Sequence, residues 1–168
     1  FGEMTLRRRI AEHYNDYYGA IADPAKIAIT PGSSLGFALA FLAAFDHGDR
    51  IAVTTPGYPA YRNLMLALGL TPVQMPARAA EGWMPSLEAL EASGDPLPDG
   101  MLIASPANPT GVVMADEEVK AVCEWCHRKG MRLIMDEIYH GLTFEGTPTT
   151  ALLHLSLIHI SEPTRQSS

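Results

Sequence analysis

The stretch Met101-Leu102-Ile103-Ala104-Ser105-Pro106-Ala107-Asn108-Pro109-Thr110-Gly111 decides the fold. It opens with an apolar run that ends in a small hydroxyl residue. The run is too short for a free-standing helix and lacks the alternation of a half-exposed strand. Such a run reads as a strand buried on both faces, the mark of a parallel sheet covered by helices. The residues after it set two prolines and a glycine around one amide, Asn108. That is a rigid turn holding a polar side chain at the carboxyl end of a strand.

Working outward, the same alternation repeats. Downstream, Asp116 is expected to cap an amphipathic helix through Lys129. Glu117 and Glu118 lie at its positive end, Arg128 and Lys129 at its negative end, and Gly130 stops it. Met131 to Met135 is the next buried strand and runs into Asp136-Glu137-Ile138-Tyr139. Upstream, Lys26 to Thr30 reads as a short strand, Pro31 to Ser34 as a turn and Leu35 to Phe45 as an apolar helix. Ile51 to Thr54 is a buried strand, Thr55 to Pro59 a loop, and Tyr61 to Leu68 a helix closed by Gly69. Thr71 to Pro76 is a weaker strand, and Ser86 caps a short helix through Ala92. Gly94 to Gly100 is a Pro/Gly/Asp connector. Ahead of all these, Leu6, Ile10, Tyr14 and Tyr17 recur at helical spacing before a C-cap glycine, Gly19. Five strands alternating with helices predict an α/β fold, a three-layer α/β/α sandwich on a mainly parallel sheet. Ligands of such sheets gather at the carboxyl ends of the strands.

Composition agrees with that class. The 168 residues are 47% hydrophobic and 18% charged, enough apolar matter for a packed core. Twelve Lys and Arg against nineteen Asp and Glu give a net charge of −7, which argues against a nucleic-acid or anionic-membrane partner. The cluster Arg7-Arg8-Arg9 reads as a solvated helix face. Leu35 to Phe45 is the longest apolar stretch and is too short to span a bilayer. No secretory signal is visible, so the expected location is cytoplasmic. Cys123-Glu124-Trp125-Cys126-His127 matches a haem c attachment pattern and a redox C-x-x-C. Both cysteines fall inside the Asp116 helix, one turn apart, where a thiol reads better as a small buried hydrophobe. No metal site is expected.

Polar residues collect at the strand ends. Gly32-Ser33-Ser34 opens a helix, where small residues and bare N–H groups suit a phosphate; a plain N-cap is the bland alternative. Asp136 ends a buried strand, a poor place for a carboxylate unless a cation meets it, such as a ligand nitrogen. Tyr58, stiffened by Pro56, Gly57 and Pro59, could stack on a planar ring or belong to the core. Asn108 could equally be an ordinary turn residue.

Taken together and in order, these stretches resemble the class I/II aminotransferases, the fold type I pyridoxal-phosphate enzymes. The matching residues are Thr30-Pro31-Gly32-Ser33-Ser34-Leu35-Gly36-Phe37, Gly48-Asp49-Arg50-Ile51 and Pro56-Gly57-Tyr58-Pro59-Ala60-Tyr61. They continue with Ser105-Pro106-Ala107-Asn108-Pro109-Thr110-Gly111 and Asp136-Glu137-Ile138-Tyr139. The resemblance implies pyridoxal 5'-phosphate as cofactor and amino-group transfer between an amino acid and a 2-oxo acid. It implies catalytic and cofactor-binding roles for Asp136 (ring nitrogen), Tyr139 and Asn108 (phenolic oxygen). It further implies Tyr58 for the ring face and Gly32, Ser33 and Ser34 for the phosphate. Related carbon–sulfur lyases share these motifs, as do aminotransferase-like effector domains of transcription regulators that sense pyridoxal phosphate. A homodimer is implied as well.

The resemblance also demands a Schiff-base lysine downstream of Asp136. The chain's lysines are Lys26, Lys120 and Lys129, and none follows it. The segment Leu155-Ser156-Leu157-Ile158-His159-Ile160-Ser161-Glu162-Pro163-Thr164-Arg165 resembles a translated sequencing adapter. The expectation is therefore an incomplete large domain over 1–154 and a non-native tail over 155–168, with no turnover by this chain. In the family's seven-stranded sheet the first strand pairs with an antiparallel strand from further along. Lys26 to Thr30 is thus expected to lack that neighbour, leaving the chain prone to aggregate.

Overall fold

The structure, a computed structural model, describes residues 1–92, 96–144 and 149–155. Helix α1 (Met4–Tyr18) ends at Gly19, whose left-handed backbone (φ 69°) lets its N–H bond the carbonyl of Asn15. Helix α2 is Ser33–Ala44, strand β1 Arg50–Thr55, helix α3 Pro59–Ala67 and strand β2 Thr71–Pro76. Helix α4 (Leu87–Ala92) takes its cap from Ser86, whose Oγ accepts the Ala89 N–H at 3.1 Å. Strand β3 (Gly100–Ala104), helix α5 (Asp116–Lys129), strand β4 (Arg132–Asp136) and a short α6 (Leu152–Leu155) follow.

The four strands make one parallel sheet in the order β2-β1-β3-β4. Strand β3 is buried at every position, as its unbroken apolar run requires. Its alternate residues feed two cores. Leu102 joins Ile51, Val53, Phe41, Tyr61 and Met65 beneath α2 and α3. Met101 and Ile103 join Ala52, Val119, Val122 and Trp125 beneath α4 and α5. These are the three layers, and they turn the carboxyl ends of all four strands to one edge.

Three sequence expectations are corrected. Lys26 to Thr30 is not a strand. Pro24–Lys26 is a 3₁₀ turn, and residues 27–30 have no ladder partner among the described residues; the Ile29 N–H bonds only the Phe1 carbonyl, at 3.0 Å. Strand structure belongs to a pair, and here the pair is not made. Asp116 does not cap α5. Ala115 holds that position, its N–H given to the Glu118 carboxylate, while Asp116 accepts from the Thr149 hydroxyl and meets His154 Nε2 at 2.9 Å. Arg7 is buried, its guanidinium 5.6 Å from the centre of the Phe1 ring, so only Arg8 and Arg9 form the solvated face. The 155–168 segment lies outside the described residues except for Leu155, which packs against the α5 core as the last residue of α6. The connector expected over Gly94 to Gly100 is also partly outside them.

Cys123 and Cys126 are free and buried on the inner face of α5. Burial pushes their thiols up to about 11 and about 12. Thiolate is the reactive form, so neither group suits haem attachment or redox exchange. In the native protein neither thiol is expected to react with an aromatic disulfide reagent at about pH 8, and both should react once denatured. Rapid labelling of the native protein would contradict the burial. Among the described residues no helix is long and apolar enough to cross a membrane, and no cluster of His, Cys, Asp or Glu is placed to hold a metal ion.

Candidate active site

The polar residues of the sheet edge are built up from β4 outward. Asp136, its last residue, is 9% exposed. Oδ1 accepts the Ile138 N–H at 3.0 Å, and Oδ2 accepts the hydroxyl of Tyr61. No Lys or Arg forms an ion pair with it among the described residues. Tyr61 comes from the first turn of α3, which Pro59 starts. Burial, then the bond to Asp136, drives its phenol far above the ordinary tyrosine range, so it stays a donor.

Tyr58 precedes α3 and is 43% exposed, which removes it from the core. Its ring stands edge-on to that of Tyr61, centroids 5.4 Å apart. Its placement depends on Gly57. A Cβ there would lie 2.4 Å from the Thr54 carbonyl oxygen, a contact that only backbone movement relieves. Gly57→Ala is therefore expected to displace the Tyr58 ring from its contact with Tyr61, read as a changed near-ultraviolet circular dichroism of the tyrosines. An unchanged spectrum would show that the backbone gives way without moving Tyr58.

Ser34, Tyr58 and Tyr61 line one cavity of about 350 Å³. Beside it, Gly32 takes φ 93°, a conformation glycine adopts without strain, and leads into α2 with no side chain capping the helix. The amino end of α2 thus presents uncapped backbone N–H groups. On the next loops, Asn108 Nδ2 donates to the Tyr139 hydroxyl at 3.3 Å, and the two line a cavity of about 630 Å³ with Pro106, Val113 and Leu142. Tyr139 is near enough to Tyr61 to add to the rise of its phenol. The structure thus joins Asp136 to the Tyr58 side through Tyr61, and pairs Asn108 with Tyr139. Gly32 and Ser33 line neither cavity.

The profile of the family "Aminotransferase class I and II" matches residues 1–161. The chain belongs to the class I and II aminotransferases. Among curated relatives of this aminotransferase chain, the valine–pyruvate aminotransferase of Mycobacterium tuberculosis is 47% identical over 150 residues, covering 89% of the chain and 38% of the relative. The probable aspartate/prephenate aminotransferase of Thermus aquaticus is 31% identical, covering 86% of the chain and 38% of the relative. A crystal structure of an aminotransferase from M. tuberculosis superposes with a TM-score of 0.82 at 48% identity, over 89% of the chain and 40% of its own. The alanine aminotransferase of Pyrococcus furiosus gives 0.83 at 27% identity, over 92% and 39%. The aminotransferase chain therefore spans well under half the length of these relatives.

Class I and II aminotransferases use pyridoxal 5'-phosphate, and the residues present fit that group. A buried acceptor-only carboxylate without a cation suits a protonated ring nitrogen. An open helix terminus suits the phosphate, an exposed tyrosine the ring face, and paired amide and phenol groups an oxygen. What the described residues lack is a lysine at this edge. Lys26 lines a different cavity with Tyr14 and Glu137, while Lys120 and Lys129 lie on α5, Lys129 pairing with Glu91 at 2.8 Å. No sequence motif assigns Tyr61 a role at this edge. Its signal is the Tyr58-x-x-Tyr61 spacing, two rings one turn apart directly after a strand end.

Proposed function

We propose that the protein transfers an amino group between an amino acid and a 2-oxo acid with pyridoxal phosphate, using the strand-end residues above. The observation that carries this reading is Asp136, a buried carboxylate at the carboxyl end of β4 with which no Lys or Arg pairs among the described residues. Bound there, pyridoxal phosphate supplies an electron sink for charge developing on the substrate Cα. Asp136 holds the proton on the ring nitrogen. Asn108 and Tyr139 donate to the phenolic oxygen, Tyr58 covers one ring face, and Gly32, Ser33 and Ser34 receive the phosphate. The 47% identity to a valine–pyruvate aminotransferase makes valine and pyruvate the substrate pair to test. We also propose that residues 1–154 belong to a larger pyridoxal-phosphate domain, that 155–168 are foreign to it, and that the whole protein is a homodimer.

The test uses the uninterrupted reading frame. Purified full-length protein should take up pyridoxal phosphate with a visible absorbance band and form alanine from pyruvate when valine is added. Absence of both the band and transfer would overturn the reading. Release of pyruvate and ammonia from a β-substituted amino acid, with no transfer, would make the protein a lyase. The 168-residue chain itself is expected to show no turnover, because Lys26, Lys120 and Lys129 all lie away from the site.

A further inference from the structure

Tyr61 has a long reach. Its backbone sits in α3, after β1, while the carboxylate its hydroxyl meets ends β4. Strand β3 stands between β1 and β4 in the sheet, so the phenol reaches past the end of β3. A side chain that spans such a gap stays on target only if its ring is held. Two rings hold it. The Tyr58 ring stands against it at 87°, centroids 5.4 Å apart, and the Phe37 ring at 71°, centroids 5.2 Å apart. Both are edge-to-face contacts, the arrangement that the charge distribution of aromatic rings favours.

The two contacts are not equivalent. Tyr58 is exposed and offers its face to the cofactor, so its ring is shared between Tyr61 and a ligand. Phe37 is backed instead by protein: the Phe41 ring lies 6.4 Å behind it at 31°, and Phe41 is fully buried. Phe37 also belongs to α2, one turn beyond Ser33 and Ser34. It lines the same cavity of about 350 Å³ as Ser34, Tyr58 and Tyr61. One phenylalanine thus stands between the amino end of α2 and the hydroxyl that binds Asp136.

We propose that Phe37 is a positioning residue for the transfer reaction: its ring, braced by Phe41, sets the tilt of Tyr61 and keeps the Tyr61 hydroxyl on Asp136 when a ligand engages Tyr58. The inference rests on the reading above, in which Asp136 serves the ring nitrogen and Gly32, Ser33 and Ser34 the phosphate. The two ends of the cofactor site are then not independent. Helix α2 carries the phosphate end, and through Phe37 and Tyr61 it also orients the carboxylate at the other. Because Phe37 acts through Tyr61, its effect must fade once Tyr61 has no hydroxyl to aim.

The experiment is a double-mutant cycle in the full-length protein. Apoprotein is titrated with pyridoxal phosphate, following the absorbance of the bound form, and kcat and KM are then measured with valine and pyruvate. Phe37→Leu should bind pyridoxal phosphate about 3- to 5-fold more weakly and lower kcat about as much, with KM for valine unchanged. Phe37→Tyr keeps the ring, and the cavity beside it leaves room for the added hydroxyl, so it should match wild type. In the Tyr61→Phe background the further loss from Phe37→Leu, in affinity and in kcat, should fall below about 1.5-fold. Should Phe37→Leu fail to fold, Phe37→Met takes its place in the same cycle. Equal losses with and without the Tyr61 hydroxyl would overturn the proposal and make Phe37 a support of α2 alone. Wild-type values in Phe37→Leu, or a Phe37→Tyr variant as weak as Phe37→Leu, would overturn it too. All three results leave the function standing. A wild-type protein that takes up no pyridoxal phosphate would overturn the function, and the role of Phe37 with it.

Discussion

Asp136→Asn in the full-length protein should lower kcat for amino transfer on the order of 10³-fold, with Tyr61→Phe costing only about tenfold. The ordering follows from what each change removes. An asparagine can still accept the Ile138 N–H on its oxygen, while its NH₂ donates to a turned Tyr61 hydroxyl, so the packing of the β4 end survives. It cannot hold a positive ring nitrogen, because the charge is gone. Tyr61→Phe leaves that charge in place and deletes one donor to it. Losing a donor leaves the carboxylate less firmly oriented, a smaller fault than losing the charge. The two variants, measured by steady-state kinetics alongside cofactor titration, separate electrostatics from architecture. A Tyr61→Phe defect as large as that of Asp136→Asn would show that Asp136 serves the fold more than the chemistry.

The largest stability effect is expected next door. Glu137 is 14% exposed at its side chain and satisfies three donors. The Thr150 hydroxyl reaches both its oxygens, at 3.0 and 2.9 Å, the Ala151 N–H donates at 2.8 Å, and the Tyr14 hydroxyl at 3.3 Å. These bonds fasten α1 and the segment before α6 to the end of β4. Burial and the Glu137 charge push the Tyr14 phenol up to about 12, so it keeps its proton across the working range. Glu137→Ala strands all three donors and should lower stability by about 3 kcal/mol, each bond to a charged acceptor being worth roughly 1.5–3 kcal/mol with partial compensation by water. The shift is read from urea midpoints at constant slope. Glu137→Gln, which keeps the volume and one acceptor, should lose about half as much. A change below about 0.5 kcal/mol for the alanine variant would mean the network contributes nothing net.

Thr71 to Pro76 was legible to the residue, because prolines bound it and its apolar positions face inward. Helix α5 was legible because its charges complement its own dipole and Gly130 stops it. These are local signals. Lys26 to Thr30 failed because strand structure needs a partner, and residues 27–30 have none among the described residues. Tyr61 escaped because its meaning lies in a bond to a residue 75 positions away. Arg7 escaped because composition says nothing about which member of a basic cluster turns inward. The motif residues Asn108, Asp136 and Tyr139 were named from a pattern. Only the folded chain shows that Asn108 and Tyr139 touch and that no Lys or Arg among the described residues pairs with Asp136.

The sheet order carries a consequence for how the chain comes to be folded. Arg50 aligns with Thr71, Gly100 with Arg132, and Ile51 with Gly100. The two outer pairings close over roughly 20 and 30 residues, but the central one must wait for roughly 50, and loop closure grows dearer with length. Among the described residues the four strands of the sheet pair only in parallel, so no strand of it can start from a hairpin with its neighbour. The first half of the ligand edge and the second half should therefore assemble as separate βαβ units, and β3 meeting β1 should be the late event. Until it happens, Tyr61 has no Asp136 to find. The binding edge would be among the last features of the protein to exist, completed by the same pairing that buries β3.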